Sequence, residues 1–176
     1  MKFILIALVI FFISCSGERV KPPIDRSFLD KDIPAQESWN SVVTFSDSGK
    51  IRAILYAGHI RIYPEKHETL LDSSIKIDFY DINERKTTTL TSKRGRVDDL
   101  TNDLFAIDSV VAESDSVIIT TEEMMWRNKD KKIVSDKFVT ILSPKEKIQG
   151  YGFESDQNLK NYVIYNITYI TRRDTL

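Results

Sequence analysis

The chain has 176 residues and a formal net charge of −1. It therefore lacks the basic excess of a nucleic-acid-binding protein, and we expect no nucleic-acid partner. Apolar residues make up 41% of the chain and charged residues 29%, which is typical of a globular domain that buries a core.

The N-terminus predicts export and lipidation. Lys2 is followed by an apolar run over residues 3–13, which is too short to span a bilayer because a membrane-spanning helix takes about 20 apolar residues. The run fits the hydrophobic segment of a secretory signal peptide, and the small residue Ser14 precedes Cys15, the one cysteine of the chain. This order resembles the bacterial lipoprotein box, in which the cysteine receives a lipid and the chain is cut just before it. An uncleaved signal anchor is the alternative.

Lipidation of Cys15 would leave no thiol for a disulfide, a metal site or nucleophilic catalysis. The polar, proline-containing segment that follows predicts a flexible tether, which would hold the domain away from the membrane. We therefore expect three parts. They are a signal peptide over residues 1–14, the lipidated cysteine and tether over residues 15–35, and one domain over residues 36–176.

Beyond Trp39 the sequence predicts strands and almost no helix. Segments rich in β-branched and aromatic residues occur at residues 42–45, 51–56, 59–63, 75–80 and 87–91. Polar turn signals stand at residues 46–49, 83–84, 101–103 and 128–130. Many short strands joined by tight turns indicate an antiparallel all-β sandwich or jelly roll.

A repeat of 29 residues runs through the second half of the chain. A shift of 29 positions aligns Leu90 with Ile119 and then with Ile148. It also aligns Val97 with Trp126, Leu104 with Ile133, Val110 with Val139, and Phe138 with Ile167. Each unit reads as strand, strand, polar turn, strand, strand, and such units predict an elongated, open sandwich of stacked hairpins. The alternative is the pseudo-period that any all-β chain shows.

Spaced residues of this repeat region carry a resemblance to a known family. The stretch LTSKRGRVDDLTNDLFAIDSVVAES opens the pattern, and YVIYNI closes it. Between them the positions that match are Ser92, Gly95, Val97, Leu104, Val110, Thr120, Thr121, Trp126, Ile133, Ser135, Val139, Ile148, Gly150, Gly152 and Phe153. Their order and spacing resemble the periplasmic LptC-type proteins of lipopolysaccharide export, here with a lipoprotein box in place of a membrane helix. Ile107-Asp108 departs from the pattern, because such repeats often carry a glycine there.

The resemblance implies a fold and a task. The fold would be an LptA/LptC/OstA-like β-jelly roll whose two sheets splay into a V-shaped trough. The protein would be anchored to the inner membrane as a lipoprotein and face the periplasm. It would receive lipopolysaccharide from the inner-membrane Lpt ABC transporter (LptB, LptF and LptG) and pass it to the periplasmic bridge protein LptA. No cofactor or metal is implied.

An apolar trough would shield acyl chains, since each exposed methylene costs about 0.8 kcal/mol in water. For any single lining residue, a plain core position is the alternative. The candidate lining residues are Ile54, Ile60, Ile62, Ile75, Ile77, Phe79, Leu90, Val97, Leu104, Val110, Ile119, Trp126, Ile133, Phe138, Phe153, Tyr162, Ile164 and Ile167.

The terminal strands are candidates for docking. The strand over residues 162–171 has no proline and no charge, so it is a poorly protected edge that a partner could extend. Its candidate partner residues are Tyr162, Ile164, Asn166 and Thr168. The first strand, over residues 41–45, would form the opposite edge and face the transporter. The alternative is that both strands simply close the sandwich.

The sequence gives no strong sign of an enzyme. His59 and His67 are the only histidines, and a zinc site takes three or four ligands. The adjacent acids at residues 98–99 and 122–123 would point to opposite faces of a strand. Two rival functions stay open: a structural or glycan- or protein-binding β-lipoprotein of the cell envelope, and a hydrolase acting on envelope polysaccharide.

Overall fold

The computed structural model describes residues 33–172, and most of them lie in strands. From Pro34 onward the chain forms one compact unit, whereas a second unit, Met1–Ile33, falls almost wholly outside the described residues. The predicted signal peptide, Cys15 and most of the tether therefore lie outside them. The strands are β1 (Gln36–Asp47), β2 (Lys50–Tyr63), β3 (Glu68–Tyr80), β4 (Lys86–Ser92), β5 (Arg94–Asp98), β6 (Asp103–Ser114), β7 (Ile118–Arg127), β8 (Lys132–Leu142), β9 (Glu146–Asp156) and β10 (Tyr162–Arg172).

The strands form one antiparallel sheet in the order β1-β2-β3-β4-β6-β7-β8-β9-β10. The short strand β5 continues β4 after a break at Lys93, and both strands lie between β3 and β6. Strands β1 and β10 are the two edges of this sheet. The predicted all-β fold is confirmed, in the form of an elongated β-jelly roll.

A crease crosses the sheet at the middle of every long strand. It begins at Asn40 in β1, whose backbone φ is 50°, and passes to Gly58 in β2. No side chain fits at Gly58, because a Cβ there would lie 2.2 Å from the Ser73 carbonyl oxygen. The crease continues through left-handed residues in β3 and β6 and through register shifts in β7 and β8 to Gly152 of β9. Each long strand therefore contributes one half to each of two layers, while the short strands β4 and β5 belong to one layer each.

The two layers pack face to face around one apolar core. The rings of Phe79, from the first layer, and Trp126, from the second, have centroids 6.0 Å apart. Thr88 Oγ1 donates a hydrogen bond of 2.8 Å to the Gln157 carbonyl oxygen across the same gap. Core side chains such as Phe153 are almost completely buried, and each contributes about 1.5–3 kcal/mol of transfer free energy.

The 29-residue repeat corresponds to one hairpin of kinked strands. Leu90, Ile119 and Ile148 all lie in the buried core. They belong to β4, β7 and β9, which run in the same direction. Phe138 and Ile167, which the same shift aligns, are both exposed. The predicted order of four strands per unit thus describes two long strands, each broken at the crease.

Candidate functional site

Most of the predicted lining residues face the interior between the two layers. Ten of them are buried in the apolar core: Ile60, Ile75, Ile77, Phe79, Leu90, Leu104, Val110, Ile119, Ile133 and Phe153. Five more are half-buried and pack against that core: Ile62, Val97, Trp126, Tyr162 and Ile164. The interior is therefore continuous and apolar, and it is filled by the protein's own side chains.

Three predicted lining residues lie elsewhere. The inward positions of β2 before the crease are Ala53, Leu55 and Ala57, so the side chain of Ile54 lies on the outer face. Phe138 is exposed, next to Tyr151, at the crease in β8, and Ile167 is exposed in the middle of the edge strand β10. These three residues were predicted to line the interior because they are apolar. The side of the sheet on which a side chain lies depends instead on the alternation of inward and outward residues along the strand, and this alternation changes at the crease.

A surface cavity, which we call the mouth, borders the interior where the two layers meet. It is a cavity of about 540 Å³ between the ends of β1–β3 and the turns at the far ends of β5–β10. Its apolar lining comes from Phe45, Tyr80, Ile82 and Trp126. Two basic side chains, Arg52 and Lys131, and several acids and amides complete it: Asp47, Asp81, Asn102, Asn128, Gln157 and Asn158.

Trp126 marks the boundary between the core and the mouth. One side of its ring approaches Phe79, and Lys131 Nζ lies 5.0 Å from its centroid. Its Nε1 is buried and has no hydrogen-bond partner among the residues that the structure describes. A buried N–H without a partner is uncommon, and Trp126 is the one predicted lining residue that also lines the mouth. The predicted lining residue Trp126 is therefore the one best placed to contact a ligand at the entrance.

The edge strand β10 is exposed along almost its whole length. Its exposed apolar residues include Val163, Tyr165 and Tyr169, and Tyr165 has 63% of its surface accessible. Of the predicted partner residues, Asn166 and Thr168 are exposed, whereas Tyr162 and Ile164 pack partly on the core. A strand that entered beside β10 would find both an unpaired backbone edge and apolar side chains.

A second apolar depression, of about 390 Å³, lies on the outer face over β6–β10 and was missed by the sequence analysis. Phe105, Met125, Val134 and Tyr165 line it, together with the acids Glu123 and Asp136. These apolar residues stand at positions where a half-buried strand normally carries polar ones. Assigning the face of each strand on both sides of the crease would have revealed them.

A buried carboxylate supports the first layer. Asp78 lies beneath Lys76 Nζ, 2.9 Å from it, and accepts a hydrogen bond of 2.8 Å from Thr89 Oγ1. Burial alone would raise its pKa, but these two hydrogen bonds and the charge of Lys86 together hold the pKa of Asp78 below its usual value. The carboxylate is thus ionised in the folded protein and ties β3 to β4.

An exposed ion-pair group supports the second layer. Glu154 pairs with Lys132 and, at 3.2 Å, with Arg127. Arg127 also forms a two-pronged pair with Asp130 in the β7–β8 turn. Hydrogen bonding to Lys132 first, and to Arg127 second, lowers the pKa of Glu154. These pairs hold neighbouring strands together and take no part in the mouth.

His59 and the adjacent acids Asp98 and Asp99 have structural partners. His59 Nε2 lies 2.9 Å from Glu37 Oε2, and its ring stacks on Trp39 at 5.0 Å. Asp98 Oδ1 accepts hydrogen bonds from two backbone N–H groups of the β5–β6 turn. Within residues 33–172, no group of three or more His, Cys, Asp or Glu side chains could hold a metal ion. None of the helical residues in this range forms a segment long and apolar enough to cross a membrane.

Several buried core residues are not among the predicted lining residues, and Leu159 is one of them. Leu159 lies in the β9–β10 turn, among polar residues, yet it is 0% exposed. The same holds for Leu71, Met124 and Ile141, which are buried in strands. A single leucine in a polar turn does not reveal this burial in the sequence, since Leu100 in the β5–β6 turn has 71% of its surface accessible.

Comparisons with known proteins agree with this architecture. No curated protein matches the chain. The family model described as lipopolysaccharide-assembly, LptC-related, matches residues 3–169, which is nearly the whole chain. The match covers all the strands up to most of β10, so it includes both layers, the mouth and the first edge. The chain therefore belongs to the LptC-related family of lipopolysaccharide-assembly proteins and takes part in lipopolysaccharide transport.

Proposed function

We propose that the protein is a membrane-anchored periplasmic component of the lipopolysaccharide transport machinery. It is anchored to the inner membrane through a lipid on Cys15 and held off the membrane by residues 15–35. It receives lipopolysaccharide from the ABC transporter formed by LptB, LptF and LptG. It then passes the lipid to the bridge protein LptA. Family membership supports the process, and the geometry of the sheet supports the route.

The observation that carries this proposal is the mouth. It borders the apolar interior at Trp126, whose ring centroid lies 6.0 Å from that of the core residue Phe79, and its own walls are apolar at Phe45, Tyr80 and Trp126. Acyl chains that enter there would leave water, which is favourable by about 0.8 kcal/mol per methylene. Arg52 and Lys131 would stand beside the anionic part of the lipid while its sugars stay in solvent.

The two edge strands support hand-over between proteins. β1 and β10 stand at opposite ends of the strand order, so two partners could extend the sheet at the same time. We propose that β1 faces the transporter and β10 faces the bridge protein. Because each long strand passes through both layers, a partner strand at β10 would continue both walls of the interior.

A second candidate is a β-lipoprotein that binds protein or glycan and carries no lipid. The packed core favours it, since Leu90, Ile119, Ile133 and Val139 are fully buried and leave no room for an acyl chain beside them. If the protein has this second function, the mouth would bind only a small part of a protein or glycan ligand. The two candidates differ in whether acyl chains enter, and this difference can be measured.

Photocrosslinking in living cells separates them. A photoreactive phenylalanine analogue at Phe45, in the wall of the mouth, should form adducts with lipopolysaccharide. The matched position is Val42, which is exposed on the same strand but faces the opposite side from the half-buried Val43. Adducts at Phe45 and none at Val42 are the expected result. Adducts at neither position, with a folded and membrane-bound protein, would favour the second candidate.

A further inference from the structure

The β9–β10 turn differs from the other turns along the same side of the molecule. The turn after β2 and the β5–β6 turn are exposed, and Leu100 in the latter has 71% of its surface accessible. The β7–β8 turn likewise carries no buried residue over positions 128–131. The β9–β10 turn instead places Leu159 in the core with 0% exposure. Its apolar side chain is thus inserted between the layers, next to the mouth.

Leu159 adopts a costly backbone conformation to reach this position. Its φ is 55°, in the left-handed region that leucine seldom adopts. Asp156 supports the conformation with two hydrogen bonds. Its carbonyl oxygen accepts one of 3.1 Å from the Leu159 N–H, and its Oδ1 accepts one of 3.0 Å from the Lys160 N–H. Its Oδ2 accepts a bond of 2.7 Å from Asn161 Nδ2. These bonds are local to the turn, so an opening that breaks them would not need to unpair β9 from β10.

Two hydrogen bonds fasten this turn to the opposite layer. Thr88 Oγ1 donates to the Gln157 carbonyl oxygen at 2.8 Å, and Gln157 Nε2 donates to the Arg52 carbonyl oxygen at 3.4 Å. Gln157 and Asn158 themselves form part of the mouth. The closure between the layers at this point thus depends on one apolar side chain and two hydrogen bonds rather than on a ladder of strand pairing. Segments held by so few contacts open at a much lower free energy than a core strand does.

We propose that the β9–β10 turn is a gate on the mouth, with Leu159 as its plug and Gln157 as its latch. In the closed state described above, the plug fills space that an acyl chain would need. When the turn swings outward, the interior beside Phe153 and Trp126 becomes accessible from the mouth. The gate deepens the proposed function, on which it rests for the identity of the lipid. It lies on the hairpin that leads into β10, so it stands where a lipid would leave toward a partner.

The plug is tested by the rate at which an acyl chain enters. The probe is the fluorescent fatty acid cis-parinaric acid, mixed with the purified soluble domain in a stopped-flow instrument. We expect Leu159→Ala to take up the probe about tenfold faster than wild type, because the opening equilibrium limits entry. Leu90→Ala, which also removes a fully buried leucine but lies in a core strand, should keep the wild-type rate. Equal rates for the two variants, or uptake by neither, would overturn the gate.

The latch is tested without any lipid. Amide hydrogen exchange at Leu159 and Lys160 reports the opening of the turn, and Thr88→Val removes the hydroxyl that bonds Gln157 while keeping the side-chain shape. We expect exchange at these two amides to rise about tenfold. Thr121→Val is the matched control, since Thr121 Oγ1 is also buried and bonds a carbonyl oxygen, that of Phe138, at 2.9 Å. Unchanged exchange in Thr88→Val, or the same rise in both variants, would show that the latch does not hold the turn.

The two tests also separate the gate from the proposed function. If lipopolysaccharide fails to crosslink at Phe45 while Leu159→Ala and Thr88→Val behave as expected, the gate stands and the lipid assignment fails. If lipopolysaccharide crosslinks and both variants behave like their controls, the transport proposal stands and the gate is wrong. The hydrogen-exchange test uses a conservative substitution, so it decides the matter even if Leu159→Ala does not fold.

Discussion

Both edge strands expose apolar side chains, Trp39 and Val42 on β1 among them, but the strands differ in the charges that they carry. β1 carries Glu37 and Asp47, and its polar residues form local contacts such as the 2.8 Å hydrogen bond between the hydroxyls of Ser41 and Ser38. It also bends at Asn40, where the backbone is left-handed. β10 has no charged residue before Arg172, and apolar residues are exposed along its whole length.

This difference indicates two kinds of contact. Charges and bends are the usual protection of an edge strand that must stay free in water, and β1 has both. β10 has a register shift after Ile167 but no charge there, so its exposed apolar residues are best explained by a partner that covers them. We therefore expect a lasting contact at β10 and a reversible one at β1. The predictions below test this contrast, beginning with the largest expected effect.

The first prediction concerns the tether that leads into β1. If Cys15 holds the lipid, Cys15→Ala should release the domain from membranes completely or leave an uncut precursor. Fractionation of cells, followed by mass measurement of the N-terminus, checks this result. A mature, membrane-bound Cys15→Ala protein would contradict the anchor and would remove the reason to place β1 on the membrane side.

The second prediction compares an edge with an interior strand. Proline removes a backbone donor and costs about 3 kcal/mol or more inside a regular element. Ile164→Pro in β10 should leave the domain folded but abolish binding to LptA, whereas Ile133→Pro in β8 should unfold it, because β8 pairs on both sides. Circular dichroism and a pull-down with LptA measure the two outcomes. Full binding by Ile164→Pro would show that the partner does not pair with β10.

The third prediction compares the two edges directly. A lysine at Ile167 of β10 should weaken association with LptA by about tenfold or more, since burying an unpaired charge in an apolar contact is costly. The matched change Val42→Lys on β1, at a residue of similar exposure, should leave that association unchanged. Surface plasmon resonance with both variants gives the ratio. An equal loss in both would mean that the two edges are interchangeable.

The fourth and smallest effect concerns the carboxylates near each edge. Asp78 is almost buried, so Asp78→Asn should lower the free energy of unfolding by about 1–3 kcal/mol at neutral pH. Glu154, near β10, is more exposed, and Glu154→Gln should cost less. Urea denaturation of both variants measures the difference.

The pH dependence of these variants has a definite sign. The pKa of Asp78 is lower in the folded protein than in the unfolded chain, so its contribution is fully present above about pH 4 and is lost as the pH falls through the folded value. The stability gap between wild type and Asp78→Asn should therefore close on acidification. A gap that stays constant down to the acid range would show that the loss comes from packing.

The all-β fold could be predicted because the alternation of apolar and polar residues and the residue types found in turns depend on short segments of the sequence. The polar turns at residues 101–103 and 128–130, for example, lie at or beside the turns that join β5 to β6 and β7 to β8. The continuity of the strands could not be predicted in the same way. Residues 51–56 and 59–63 read as two strands, but they form the single strand β2, because the absence of a side chain at Gly58 lets the chain bend against Ser73 instead of turning back.

The candidate site could be predicted only in part, for the same reason. Residues such as Ile75, Ile77 and Phe79 face the interior because their alternation is regular up to the end of β3. Ile54 and Phe138 are no less apolar but lie on the outer side of their strands. The mouth depends on the contact between the ends of β1–β3 and the turns of β7–β10, which are far apart in sequence. Such contacts are set by the folding of the whole sheet along its crease.

The crease also determines how the two layers, or walls, would lengthen if a hairpin were added. Since every long strand belongs to both walls, one additional 29-residue hairpin would lengthen both walls together by about 9.5 Å, twice the spacing of neighbouring strands. The length of the two walls is thus proportional to the number of hairpins, whichever chain supplies them. A partner that pairs with β10 adds its strands to the same count, so two such chains joined in register would form one uninterrupted pair of walls whose span is fixed by their repeats.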